Sequence, residues 1–320
     1  MRKFTHVTAT SLAEVIPLLD HRTRPLAGGT DLVTQLKDHL ISPDRLVSLR
    51  GLGLRGVAVR AGRLYIGALT TLSELERDPQ LRSDPYRALA QAAHSAASPQ
   101  LRNAATIGGN LLQDVRCPYY RGPFTCWLKG GTDCYARNGE HHIHALFQQS
   151  PCIATHPSDP VTALLALDAT VTLAGRDGER SVDLLELLVP PTDERRTLNT
   201  LGQAELITNI TLPARDGWRS TYQKAMERAV YAFALAGVAA AIKVEQGKVA
   251  AARIALGGIA NTPLPASDAA ASLIGKPLTD ESIATAAALA VRGAQPLPQT
   301  TYKEELVVRL VRAALMELSM

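Results

Sequence analysis

All four cysteines of this 320-residue chain, Cys117, Cys126, Cys134 and Cys152, fall inside one 36-residue window. Thiolates are nucleophiles and soft metal ligands. Two disulfides are the ordinary alternative. The start, MRKFTHVTAT, has no apolar signal core, so a cytoplasmic and reducing compartment is expected, in which disulfides are rare. The window therefore reads as metal-binding or catalytic. The cysteines follow one another at spacings of 9, 8 and 18 residues, without the close C-x2-4-C pairs that present thiolates to structural zinc. A cluster held by four thiolates needs only a folded loop that places four sulfurs around it. Structural cysteines of a core would sit among apolar residues, whereas these lie beside Arg116, Lys129, Asp133 and Asp159. His141, His142, His144 and His156 are rival ligands, although in a polar loop the ordinary reading is surface histidine. Tyr119, Tyr120 and Trp127 could shield a cluster from water, and packing explains them equally well.

Two glycine pairs carry the second candidate chemistry. In LAGGTDL, Leu26 to Leu32, adjacent glycines allow positive φ and leave amide donors uncovered, and Thr30 or Asp31 can cap a following helix. Such a turn suits a phosphate, and a plain strand-to-helix turn is the alternative. TIGGN, Thr106 to Asn110, reads as a second loop of the same kind. Neither matches GxGxxG or the P-loop pattern. Two such loops about eighty residues apart suit one ligand with two phosphates, clasped between two subdomains, and a dinucleotide such as FAD is the natural candidate.

Composition bounds the rest. With 46% apolar and 20% charged residues, the chain can bury two or three domain cores. Its net charge of +4 comes from 34 basic and 30 acidic residues scattered without runs, so no nucleic-acid groove is expected. The longest apolar stretch, YAFALAGVAAAI, is too short to span a bilayer, and no membrane insertion is expected. No Ser/His/Asp or Cys/His constellation and no carboxylate pair stands out, which leaves hydrolysis without support and no catalytic residue assigned.

The elements that must hold these residues read as α+β. KFTHVTA, TRPL and RLVSL are short strands separated by SLAEVIPLLD and LVTQLKDHL, a βαβαβ-like unit covering residues 1–52. Residues 53–215 follow with a hairpin at Ala61-Gly62, helices in TLSELERDPQLR and PYRALAQAAHSAA, a loop through SPQLRNAATIGGNLLQD, a turn at Asp177-Gly178 and a strand in ELITNITLP. A change of composition near residue 216 marks a boundary. The last part, 216–320, opens with a strand in STYQKAMER. AFALAGVAAAI reads as a helix or a buried strand, with Ala234 to Ala241 taken as an Ala-rich helix packed in a core. A turn at Gln246-Gly247, a strand and two helices complete it.

RPLAGGTDLVTQLKDHLISPDRLVSLRGL, SPQLRNAATIGGNLLQD and KAMERAVYAFALAGVAAAI resemble the FAD-binding medium subunit of the xanthine dehydrogenase and aldehyde oxidase family of molybdenum hydroxylases. The likeness runs in order to about residue 260 and more weakly beyond. It implies a two-subdomain FAD-binding domain of the vanillyl-alcohol-oxidase type over 1–215, and a smaller C-terminal α+β domain. By position it also implies that Leu26, Ala27, Gly28, Gly29, Thr30, Asp31 and Leu32 cradle the pyrophosphate, with Thr106, Gly109 and Asn110 as the second phosphate-side element. Asp159 would match an acidic FAD contact and Lys224 a lysine close to the flavin.

Most members of that family pass almost directly from the GGN loop to the SD segment, so residues 114–157 look like an insertion that adds a cofactor. The pattern RCPYY…C…C…CIATHPSD resembles the aldehyde oxidoreductase branch, which carries a [4Fe-4S] cluster, and implies Cys117, Cys126, Cys134 and Cys152 as its ligands, with His142 in reserve. The implied protein is a flavin and iron-sulfur electron-transfer subunit of an oxidoreductase. Its partners would be a molybdopterin-binding large subunit and a small subunit with [2Fe-2S] clusters. Export of the folded complex through a partner's signal is the alternative to a cytoplasmic location. Two other readings stand beside this one: the 4-hydroxybenzoyl-CoA reductase branch, with reversed electron flow and a ligand at position 142, and a zinc-stabilised binding module without catalysis.

Overall fold

A computed structural model describes all 320 residues. The chain forms three sheets joined by helices. The first contains β1 (Thr5–Thr8), β2 (Thr23–Leu26) and β3 (Arg45–Ser48), all parallel, in the order β1-β3-β2. Parallel neighbours require crossovers, supplied here by a short helix at Leu12–Val15, capped by the Ser11 side chain, and by another at Leu32–Lys37. Val15, Leu19, Val47 and Leu49 form its small core, and Leu206 joins them from the next subdomain.

The second sheet is antiparallel. It holds β4 (Val57–Arg60), β5 (Arg63–Gly67), β6 (Thr170–Gly175), β7 (Gly178–Asp183) and β8 (Leu206–Leu212), ordered β4-β5-β8-β6-β7. The expected turn between β4 and β5 is present, with Ala61 and Gly62 at φ 49° and 75°. Helices Leu72–Arg77, Arg87–Ser95 and Asp159–Ala166 share the largest core cluster with this sheet, contributing Leu72, Leu75, Leu89 and Leu164 beside Leu64, Ile66, Val171 and Ile210 of the strands. The first of these starts with a capping box between Thr71 and Glu74.

The third sheet carries β9 (Trp218–Ala225), β10 (Ala236–Glu245), β11 (Lys248–Gly257) and the short β12 (Leu264–Pro265), in the order β12-β11-β10-β9. The Ala-rich segment expected as a helix is thus β10, a central strand. Its side chains alternate between two cores. Ala236, Val238, Ala240 and Ile242 pack against helices Ser267–Leu273, Asp280–Leu289 and Tyr302–Ser319, while Ala239 and Ala241 face the core shared with the second sheet. A strand buried on both faces shows no polar alternation, so its period of two is invisible in the sequence. Close approach explains the small residues: a Cβ added at Gly257 of β11 would lie 2.0 Å from Thr162 Oγ1 of helix Asp159–Ala166. No helix is long and apolar enough to cross a membrane.

Residues 114–157 form a compact excursion with little regular structure. Arg121 and Arg116 tie it to Asp31 on one side. On the other, Leu146 N donates to Ile259 O, Asn261 Nδ2 donates to the carbonyls of Cys152 and Ala154, and Lys303 Nζ donates to Ile143 O. The segment is therefore held between the first glycine turn and the C-terminal sheet.

Candidate functional site

The two glycine elements meet in space. A Cβ built on Gly28 would come within 1.8 Å of Ala104 O, so the first turn lies directly against the backbone that leads into the second. One cavity is lined by Ala27, Gly28, Gly29, Thr30, Asp31 and Leu32 from the first element and by Thr106, Gly108, Gly109 and Asn110 from the second. Leu26 does not line it. Gly29 has φ +74°, which favours glycine.

Two details differ from the expectation. TIGGN is not an open loop: Ile107–Leu111 is a short helix, with Thr106 as N-cap accepting from Gly109 N at 3.3 Å. Its glycines are small for proximity, since a Cβ on Gly108 would sit 3.0 Å from Ala68. Asp31 does not cap helix Leu32–Lys37 with its side chain. The carboxylate instead accepts from Asp114 N at 2.9 Å, Gln35 Nε2 at 2.8 Å, Arg121 Nη2 at 2.9 Å and Arg116 Nη1. Burial alone would push this carboxyl up, but the two guanidinium groups outweigh it and hold Asp31 below the usual carboxylate range. Asp31 is the clasp between the glycine turn and the cysteine segment.

A second cavity adjoins the first, and Thr30, Ala105, Asn110, Gln113 and Arg116 line both. Asp159 and the segment Tyr231 to Leu235 form part of its wall. Lys224 lies beneath that wall, with its three donors taken by Asp159 Oδ2, Ser95 O and Ala232 O. Asp159 also accepts from Tyr222 Oη at 2.7 Å, and burial, with Asp159 beside it, drives the Tyr222 pKa well up. Asp159 and Lys224 are thus brought together as an ion pair, and only Asp159 reaches the cavity.

The four cysteines are free and line one small pocket with Tyr119, Tyr120, Trp127, Leu128, Tyr135, Ala136 and Ala154. Cys126 and Cys152 are buried and Cys117 and Cys134 partly so. Burial pushes the Cys117 thiol up to about 11 and the Cys152 thiol to about 12, so thiolates at these two positions require a cation beside them to offset desolvation. No three His, Cys, Asp or Glu side chains converge closely enough to share a single metal ion. A four-iron cube would engage each of four thiolates at its own iron. Cys117 and Ala154 line both this pocket and the second cavity.

The histidines correct the reading of a polar exposed loop. His141, His144 and His156 are buried, and burial pushes His144 and His156 down to about 4. His142 is exposed, faces Glu227 at 3.4 Å and takes no part in the cysteine pocket. Trp127 is half of a stack, with the Arg196 guanidinium 4.7 Å from its ring centre, and it also walls the pocket. Sequence reasoning missed Arg121 and Gln113, and named Arg116 only as a neighbour of the cysteines and His144 only as a rival ligand. The one available signal was the run DVRCPYYR, in which two arginines bracket the first cysteine.

Comparison with known proteins gives consistent matches. The family described as FAD binding domain in molybdopterin dehydrogenase matches residues 2–215, and the CO dehydrogenase flavoprotein C-terminal domain matches residues 220–318. The aldehyde oxidoreductase FAD-binding subunit PaoB of Escherichia coli (strain K12) is 38% identical over 300 residues, covering 91% of this chain and 90% of that protein. The glyceraldehyde dehydrogenase medium chain of Sulfolobus acidocaldarius is 30% identical over 284 residues, 88% and 84% of the two chains. A crystal structure of the Cu,Mo-CO dehydrogenase in a cyanide-inactivated form has a chain that matches with a TM-score of 0.78 at 26% identity, covering 98% of this chain and 97% of the other.

Proposed function

We propose a function from the premise that this chain belongs to the family of FAD-binding subunits of the molybdopterin dehydrogenases. It is an FAD-dependent oxidoreductase subunit, and its task is electron transfer within a molybdenum hydroxylase. A large subunit with molybdopterin oxidises the substrate, and a small subunit with [2Fe-2S] clusters connects it to this chain. The similarity to PaoB over nine-tenths of both chains supports an aldehyde as the substrate class of the assembly.

The adjoining cavities support one extended FAD site. Gly28, Gly29, Thr30, Thr106, Gly109 and Asn110 would hold the pyrophosphate, where the bare glycine backbone leaves room for it. The second cavity would take the isoalloxazine, with Arg116 at the junction and Asp159 in the wall. Cys117, Cys126, Cys134 and Cys152 would hold a [4Fe-4S] cluster. FAD when bound exchanges electrons in pairs or singly, and an iron-sulfur cluster exchanges them one at a time. The residues of this chain place the two groups, exclude water and set their potentials. The single observation that carries the reading is the pocket formed by every cysteine of the chain, separated from the second cavity by Cys117 itself. The exposed position of His142 favours this reading over the reductase branch.

Flavin, iron and acid-labile sulfide analysis of the complex purified with its partners tests the proposal. One FAD per chain, and iron in excess of that held by the [2Fe-2S] subunit, are expected. Flavin without excess iron would remove the cluster from the proposal.

A further inference from the structure

His144 makes the only side-chain hydrogen bond to a cysteine sulfur in the protein, with Nε2 3.2 Å from Cys117 Sγ. The imidazole is 2% exposed, and its other nitrogen, Nδ1, has no partner. His156 is likewise buried with one unpaired nitrogen, Nε2, so what sets His144 apart is its contact with a sulfur. His144 has the Cys117 sulfur as the one hydrogen-bond partner of its ring. Its backbone is fixed from three directions: His144 N donates to His141 O, the next residue, Ala145, donates to Ile153 O, and Lys303 Nζ donates to Ile143 O. Little freedom is left to reorient the ring.

Cys117 is also the cysteine that lines both the thiol pocket and the neighbouring cavity. A ligating thiolate carries no proton, so the contact forms only with the proton on Nε2 and the sulfur accepting. Donation to a ligating sulfur withdraws charge from the cluster and favours its reduced, more negative state. We propose that His144 is a positioning residue that holds the Cys117 sulfur and raises the reduction potential of the cluster at the wall it shares with the flavin cavity. The inference rests on the [4Fe-4S] assignment made above. The redox step adds one electron to the oxidised cluster and neither forms nor breaks a bond at His144.

The test uses the purified multi-subunit complex with His144→Leu, which removes the donor, and His144→Gln, which keeps an N–H donor. Iron and flavin contents are measured first. The cluster potential is then read by redox titration followed by low-temperature electron paramagnetic resonance, where the fast-relaxing four-iron signal separates from those of [2Fe-2S] clusters. With iron retained, His144→Leu should make reduction about tenfold less favourable, a downward shift of about 59 mV for one electron. His144→Gln should recover at least half of that shift. An unchanged potential in His144→Leu with full iron would overturn the inference, and so would loss of iron from both variants, which would make His144 a ligand or a structural residue. A wild-type complex without four-iron signal or excess iron would instead reject the cluster assignment itself.

Discussion

Lys224 Nζ lies 2.8 Å from Asp159 Oδ2, and the two side chains are 3% and 5% exposed. This buried pair joins β9 to the first turn of helix Asp159–Ala166, and Ala232 O ties the wall of the second cavity to it. Tyr222 Oη and Ser95 O complete the network. Every donor of the ammonium is used, so the pair meets the condition under which a buried ion pair is tolerated. Removing one partner strands the other charge. Lys224→Met should destabilise the chain by about 3–5 kcal/mol, and Asp159→Asn should also destabilise it. The double variant should lose less than the sum of the two. Denaturant unfolding of the three variants checks this, and strict additivity would show that the two residues do not act together.

Gly28 is the tightest point of the flavin site. Alanine there would bring Cβ to 1.8 Å from Ala104 O, a backbone atom that cannot swing aside. The first turn must then separate from the second element, and the cavity between them opens. Gly28→Ala should weaken FAD binding at least tenfold, equivalent to about 1.4 kcal/mol or more. Iron should remain, because none of the cysteines touches this turn. Absorbance of released flavin together with iron analysis decides the outcome. Full flavin occupancy would contradict the assigned role.

Cys134→Ser is the complementary change. Cys134 lines the thiol pocket and does not line the second cavity. The variant should lose the broad visible absorption and iron of the cluster while flavin stays bound. Iron content equal to that of the unchanged protein would reject Cys134 as a ligand.

Much of this arrangement was legible from the sequence, and the gaps have physical causes. The glycine pairs, the hairpins at Ala61-Gly62 and Gln246-Gly247 and the helix at Tyr302–Ser319 carry local signals in residue type and period. β10 does not, because both its faces are buried and its alanines match several local structures. The side-chain cap expected of Asp31 fails for a different reason. As a residue after Gly-Gly-Thr it resembles a helix cap, and its true partners, Arg116 and Arg121, are 85 and 90 residues away. His144 was passed over because a polar stretch suggests exposure. The segment is in fact folded inward between Asp31 and Lys303, and only long-range contacts reveal that.

Lys303 offers a test in a different variable. Its side chain is fully buried and faces no carboxylate: Nζ donates to Ile143 O and Gly258 O, both at 3.2 Å. Burial pushes its pKa from 10.5 down to about 7. In the unfolded chain the ammonium returns to its ordinary value, so the folded pKa lies below the unfolded one. Below pH 7 both states are charged, and the native state carries the whole cost of the buried charge. Between pH 7 and 10.5 the unfolded chain binds a proton that the native chain has released, so this group makes stability rise with pH. The thiols of Cys117 and Cys152, with pKa values raised by burial, act in the opposite sense at alkaline pH in any chain that lacks a cluster. A comparison with Lys303→Met separates the two effects, because the thiols are common to both proteins. The unfolding free energy of the unchanged protein relative to Lys303→Met should increase steadily from pH 7 to pH 10, measured by denaturant midpoints at each pH. Parallel profiles would mean that Lys303 keeps its proton throughout, and that the two carbonyls at the junction of the cysteine segment and the C-terminal sheet suffice to hold a full charge.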